Sequence, residues 1–281
     1  MQVQVQVQAS EQLEERSLLS ASTLFIAGEL NVSLGPKDSV AIRDNPAVAG
    51  NVLVVVNGTP VTNLSTVTAS SVTKIIVNGG DDANLIDLSG VTGSIFNNPA
   101  LRLVVNAGNG ADTLLGSSDL ADSLNGGDGD DSIVGNGGND TLLGGDGNDS
   151  ITGGIGNDSI NAGDGRDTVN GNQDDDTILA GNGQDFVDGA DGNDNLSGDD
   201  GADTLNGGSG NDTLNGMAGA DSLDGQIGDD SVLGGSGDDT LLGNVGNDTL
   251  DGQAGLDSLL GGDGNDVVTG GEGNDSVVGE A

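Results

Sequence analysis

From residue 112 onward, large aliphatic residues recur once in every nine positions, each two residues after an aspartate: Ile133, Leu142, Ile151, Ile160, Val169, Ile178, Val187, Leu196 and so on to Val277. Their flanking residues are mostly Ser, Thr or Asn. This alternation of period two predicts a short strand with one inward aliphatic per unit. The other six residues of each unit are dominated by Gly, Asp and Asn, which predicts a tight turn. Glycine at unit positions one and four permits positive φ and close backbone approach, with carbonyls turned inward. Two units, eighteen residues, then complete one coil, whose two strands face each other across a thin aliphatic stack.

Residues 21–105 follow a different pattern. The strings "LFIAGELNVSL", "SVAIRD", "NVLVVVNGTPV" and "VTKIIVNGGDDANLIDLSG" are rich in β-branched residues, poor in charge and punctuated by an "NG" turn, so a β-rich domain is expected there. A stack of coils needs its open end covered, and capping is the role this domain is expected to play. Within it, "GGDDANLID" (79–87) reads as a decayed nine-residue unit with Asn84 where aspartate belongs.

The repeat register is strict. From Asp122 to Asp275 the aspartates fall nine residues apart without a slip, giving eighteen consecutive units, and Asp112 opens an earlier unit after a ten-residue spacing. "GGDGDDSIV" (126–134), "GGDGNDSIT" (144–152), "GGSGNDTLN" (207–215) and "GGDGNDVVT" (261–269) are clean copies of G-G-x-G-x-D-x-U-x, with U a large aliphatic. This pattern resembles the calcium-binding nonapeptide of the RTX (repeats-in-toxin) proteins, the hemolysin-type calcium-binding region.

The resemblance implies an all-β fold: a right-handed parallel β-roll, or β-solenoid, of 18-residue coils over residues 106–281, behind the β-rich cap of residues 21–105 and an N-terminal tail of residues 1–20. It also implies a ligand set. In the family a calcium ion lies between turns stacked one coil apart, held by backbone carbonyls of the glycine-rich turn and by the position-six aspartates. On one edge these correspond to Asp131, Asp149, Asp167, Asp185, Asp203, Asp221, Asp239, Asp257 and Asp275. On the other they correspond to Asp122, Asp140, Asp158, Asp176, Asp194, Asp212, Asp230, Asp248 and Asp266, and Asp112 belongs to the earlier unit. Nine turns per edge leave eight gaps, so the implied capacity is up to about 16 ions. One aliphatic per strand buries too little apolar surface to offset the ordering of the coil, so metal is expected to complete the fold.

Composition supports the same chemistry. Nine of the 46 acidic residues and five of the six basic ones lie in residues 1–105, so the remaining 37 acids face a single base, Arg166. Such a field repels nucleic acid and anionic lipid and attracts cations. The sequence contains no Cys and no His, which removes thiol catalysis, zinc–thiolate sites and the usual general base. Hard oxygen ligands remain. No window approaches the roughly 18 consecutive apolar residues of a membrane span, and the N-terminus lacks the basic and apolar regions of a secretory signal. "LEERSLLSA" (13–21) resembles a short element near the starts of large exported bacterial proteins, and also fits an amphipathic helical turn.

Several features depart from the pattern. In "GNQDDDTIL" (171–179), Asp174 replaces the position-four glycine, which puts the Asp176 sites in question, while Ala162 and Ala180 replace the first glycine of their units. Phe186 stands at an outward position. The acid pairs Asp130/Asp131 and Asp229/Asp230 look like a glycosidase pair but recur in register, which argues against an enzyme. The outward Ser and Thr columns are interrupted by Asn170, Asp188, Asn206, Asp224 and Leu242, which breaks any ice-binding array. The expected function is thus a calcium-binding structural or surface module of an exported, extracellular or cell-surface protein, with cell-surface or host-cell contact among its partners. The alternatives are the repeat module of a larger secreted protease, lipase or epimerase, and an adhesin stalk. The C-terminal "GGEGNDSVVGEA" stops just inside another unit, as a fragment would.

Overall fold

The computed structural model describes residues 22–26, 29–34, 38–44, 52–56, 59–60, 72–92 and 101–279. The element at 13–21 lies outside them. Every regular element among the described residues is a β-strand. The first nine are β1 (Ser22–Ile26), β2 (Glu29–Ser33), β3 (Ser39–Asp44), β4 (Val52–Val56), β5 (Thr59–Pro60), β6 (Lys74–Asn78), β7 (Leu85–Asp87), β8 (Arg102–Asn109) and β9 (Thr113–Leu115). From β10 (Asp122–Asp128) and β11 (Ser132–Gly137) to β26 (Val267–Thr269) and β27 (Ser276–Val278), one strand follows per nine-residue unit.

The strands deal alternately into two sheets. One has 13 strands in the order β1, β2, β6, β8, β10 and then each even strand to β26; the other has 14 and runs from β5 through β4, β3, β7, β9 and β11 to β27. Each coil therefore adds one strand to each sheet, parallel to the strand one coil earlier, and the result is a parallel β-solenoid. The register places like on like. Leu124, Leu142, Ile160, Ile178, Leu196, Leu214, Val232 and Leu250 stack in one column. Leu114, Ile133, Ile151, Val169, Val187, Leu205, Leu223, Leu241 and Leu259 stack in the other. All are buried. A slip of one residue would turn the whole column out to solvent, so the aliphatic period sets the register.

Two details differ from the sequence expectation. The strand is longer than the three residues after each aspartate: Ser150–Ile155, for example, continues through unit positions one to three. The chain turns only at positions four to six. Secondly, positive φ occurs at positions two and four rather than one and four, as at Gly145 (φ 123) and Gly147 (φ 140). Glycine at position one serves close approach instead: a methyl on Gly144 would collide with the Ala162 carbonyl of the next coil and with the Asp149 carboxylate.

Both sheets run without a break into the N-terminal region. Strand β2 pairs in parallel with β6, and β6 with β8; β3 pairs in parallel with β7, and β7 with β9. On the first sheet these strands carry an inward aliphatic at the aspartate register as well: Leu103, in line with Asp122, continues through Ile75 to Leu30, two residues before the column Val105, Val77 and Val32, and all six are buried. Antiparallel strands close the outer end, β1 on β2 and the β4–β5 hairpin on β3. A parallel edge that would otherwise invite a further strand is thereby covered.

The backbone at Asp174 yields the first expected outcome. Its φ of 73 is a conformation that glycine adopts freely and aspartate only at a cost. The Asp174 carboxylate accepts the Gly156 N–H at 3.1 Å, which offsets part of that cost. Asp174→Gly is expected to raise stability by under about 1 kcal/mol, read as a higher midpoint in thermal unfolding. A lower midpoint would show that the Gly156 bond outweighs the backbone strain.

Candidate metal centre

Between the ends of the ladders, each position-six aspartate is held in three ways. Its N–H donates to Oδ1 of the aspartate one coil later, as from Asp131 to Asp149 at 2.8 Å and from Asp203 to Asp221 at 2.8 Å. Its carbonyl accepts the position-seven N–H of the next coil, as Asp131 does from Ser150 at 2.8 Å. Its own Oδ1 in turn receives the N–H of the coil before. Repetition builds two ladders along the two edges of the solenoid. One runs Asp112, Asp131, Asp149, Asp167, Asp185, Asp203, Asp221, Asp239, Asp257, Asp275. The other runs Asp122, Asp140, Asp158, Asp176, Asp194, Asp212, Asp230, Asp248, Asp266.

The second carboxylate oxygen is what makes this arrangement chemical. Oδ2 is buried and has no hydrogen-bond partner in every ladder aspartate except Asp122 and Asp275. A carboxylate oxygen in such a place costs free energy unless a proton or a cation joins it. Its surroundings are oxygen as well. The space over the position-one glycine lies between Oδ2 of that unit and the position-one carbonyl of the next coil, as between Asp203 Oδ2 and Gly216 O at Gly198. No donor is aimed there, and among the described residues no three acidic side chains converge into one cluster. A cation here would take one or two carboxylates together with backbone carbonyls, a hard all-oxygen set that suits calcium and not zinc or copper.

The electrostatics agree. Burial pushes the carboxyls of Asp131, Asp158, Asp203 and Asp212 up to about 7, and those of Asp140 and Asp221 up to about 6; the N–H bond to Oδ1 pulls the other way and is outweighed. In Asp131, Asp203 and Asp212 the aspartates above and below add to the rise. Asp130, Asp175 and Asp229 at position five behave oppositely. They are exposed, and the N–H groups of Asn148, Asn193 and Asn247 hold them below the usual carboxylate range.

Three residues of this system lie outside the nine-residue register. Asn84 heads the first ladder: it is buried, donates its N–H to Asp112 Oδ1, and accepts the Gly80 N–H on its own side-chain oxygen. Asp38, also buried, accepts the Leu85 N–H on its carbonyl, as Asn84 accepts that of Thr113. The triplet Asp38-Ser39-Val40 carries the aspartate-x-aliphatic signal, but its distance from Asn84 is no multiple of nine. Ser117 donates its N–H to Asp122 Oδ2 at 2.6 Å, and its hydroxyl lies 3.3 Å from Oδ1. The only sequence trace of that turn is the ten-residue step from Asp112 to Asp122.

Comparison with known families agrees with this geometry. The model for the RTX calcium-binding nonapeptide repeat, in four copies, matches residues 118–151, 143–178, 152–187, 179–214, 188–223, 206–241, 224–259 and 242–277. No curated protein matches the chain.

Two outcomes follow from the raised carboxyls. A carboxyl whose folded pKa lies above its unfolded value favours the fold when protonated, so its contribution is fully present below about pH 4 and is lost as pH rises through 6 to 7. In EGTA, acidification from neutral pH to about 4.5 should therefore raise the β signal of the repeats in circular dichroism; a signal that does not rise on acidification contradicts the burial of these groups. Asp203→Asn keeps an oxygen for the Asp185 N–H and removes the charge. It should favour the metal-free roll and weaken metal binding at once, seen as a β signal that appears at a higher pH on acidification in EGTA and as a higher calcium requirement in a circular dichroism titration.

Proposed function

Because the chain belongs to the RTX calcium-binding nonapeptide repeat family, with more than half of its residues in the matched repeats, we propose that it is a calcium-completed structural module of an exported protein. The observation that carries this reading is the file of buried Oδ2 atoms without donors along both edges. Calcium, when bound, supplies the positive charge those oxygens lack and accepts carboxylate and carbonyl oxygen together. The chain's own part is to bring the oxygens into place. Glycine at position one leaves the space open, and the Oδ1 bond fixes each carboxylate so that Oδ2 points inward. With eight gaps on each edge the capacity is up to about 16 ions.

Function then follows from the calcium difference across a membrane. Oxygen-only sites of extracellular type bind calcium at about 10⁻⁴–10⁻³ M, above cytosolic levels. The repeats stay open inside the cell and close outside it, which couples export to folding. The role is structural rather than catalytic: the acid pairs Asp130/Asp131, Asp175/Asp176 and Asp229/Asp230 each divide into a buried ladder aspartate and an exposed partner already bonded to asparagine, and the same division recurs along the array. Residues 21–105 cap the roll. Their two-aliphatic strands and the neutral Asn84 let them order without an ion.

The test is a calcium titration of residues 106–281 followed by circular dichroism. In EGTA at neutral pH the spectrum should be that of a disordered chain, and above roughly millimolar calcium that of a β protein, with a steep transition because the sites share coils. Magnesium, which demands tight octahedral geometry and holds its waters, should substitute poorly. A full β spectrum that persists in EGTA at neutral pH would overturn the proposal.

A further inference from the structure

The turns of the array are not equivalent, and two of the differences fall on the oxygens that face the ion. Along the first ladder, Ala162 and Ala180 stand at position one in the units of Asp167 and Asp185, and both are fully buried. They are one coil apart in the same column, since Asn161 pairs with Leu179 and Gly163 with Gly181. In the glycine-bearing turns, the point where a methyl would be built is crowded by Oδ2 of the unit's own aspartate and by the position-one carbonyl of the next coil. At Ala162 and Ala180 that methyl is present. By register with the glycine turns, where the built methyl meets both, it faces the two kinds of oxygen a cation would join, Asp167 Oδ2 with the Ala180 carbonyl, and Asp185 Oδ2 with the Gly198 carbonyl. The fold tolerates alanine there because no position-one residue has positive φ. The methyl therefore acts on the cradle and leaves the coil intact, unlike a side chain forced onto positions two or four.

At the start of the second ladder a different device has the same effect. The turn before Asp122 holds one residue more than the others, and the extra length folds Ser117 over the carboxylate. The Ser117 N–H donates to Asp122 Oδ2 at 2.6 Å, its hydroxyl lies 3.3 Å from Oδ1, and the same hydroxyl accepts the Leu120 N–H at 3.1 Å and reaches the Leu120 carbonyl at 3.2 Å. Asp122 is thus the one fully buried ladder aspartate whose Oδ2 has a protein donor. An N–H dipole takes the place of the ion, and the turn is closed from the outset.

We infer that the turns of Asp122, Asp167 and Asp185 hold no calcium of their own, so that the array loads as a closed first turn, an uninterrupted second edge, and a first edge divided into two stretches by the Ala162–Ala180 step. The inference rests on the calcium reading above and goes beyond it by assigning which turns are empty. Division of one edge has a physical consequence. In a solenoid each coil is coupled only to its neighbours, so a pair of uncompensated gaps weakens cooperativity between the stretches on either side without separating them, because the opposite edge still bridges the step.

The experiment counts bound ions per chain by equilibrium dialysis of the whole chain against saturating calcium, with circular dichroism as the check on folding. The paired variant Ala162→Gly with Ala180→Gly opens both cradles and should bind two more ions than the parent. Gly144→Ala closes the cradle of Asp149 and should bind one fewer, with the β spectrum retained. An unchanged count in the paired variant overturns the inference, and so does a full count in Gly144→Ala. A parent chain that takes up no calcium would instead overturn the reading on which the inference rests.

Discussion

Apart from Asp122 and Asp275, each ladder aspartate commits one carboxylate oxygen to the backbone of the preceding coil and encloses the other where nothing donates to it. The coil depends on both halves of that arrangement. The Oδ1 bond is local and neutral in effect: it satisfies the N–H that the turn would leave orphaned. The Oδ2 atom is a buried charge, and buried charge is tolerated only with a partner. Because the same aspartate contributes to both, the chain cannot obtain the stitching without the burden. Asn84, at the head of the first ladder, differs: its N–H donates to Asp112 Oδ1, and its neutral side-chain oxygen accepts the Gly80 N–H four residues earlier.

A second, outer set of bonds runs in the opposite sense. At position six the N–H of one coil reaches forward to a carboxylate on the next; at position five the N–H of one coil reaches back, as from Asn148 to Asp130, from Asn193 to Asp175 and from Asn247 to Asp229. The turn is therefore tied to both neighbours, from inside and from outside. The outer acids sit in water and keep their charge cheaply, while the inner ones do not. This contrast explains why adjacent aspartates such as Asp130 and Asp131 have carboxyls shifted in opposite directions despite lying side by side in the chain.

The N-terminal region and the repeats are stabilised by different means on one continuous frame. The columns Val32, Val77, Val105, Leu124 and Val40, Ile86, Leu114, Ile133 pass from one to the other without a change of register. Where two aliphatics point inward the coil carries its own core. Along the first sheet the second column changes at Asp122: Leu30, Ile75 and Leu103 give way to an aspartate in the same register, and apolar burial gives way to a buried carboxylate.

By itself the amino-acid sequence determined the coil length, the aliphatic columns and the identity of the ladder aspartates, because a nine-residue register repeated eighteen times leaves one way to stack like on like. It also marked Asn84 as a member of the series and Asp174 as a strained departure. What only the tertiary structure decided lies between coils rather than within a unit. Positive φ falls at positions two and four, because position one must point inward and pass close to the next coil. The strand runs through position three because pairing with the neighbouring coil continues that far. The continuity of the N-terminal strands with the repeats was hidden because their spacing is irregular, and parallel pairing across such long connections leaves no local trace. Ser117, likewise, bears on Asp122 only once an extra residue has folded back over the carboxylate, a relation set by three-dimensional contact and not by the period.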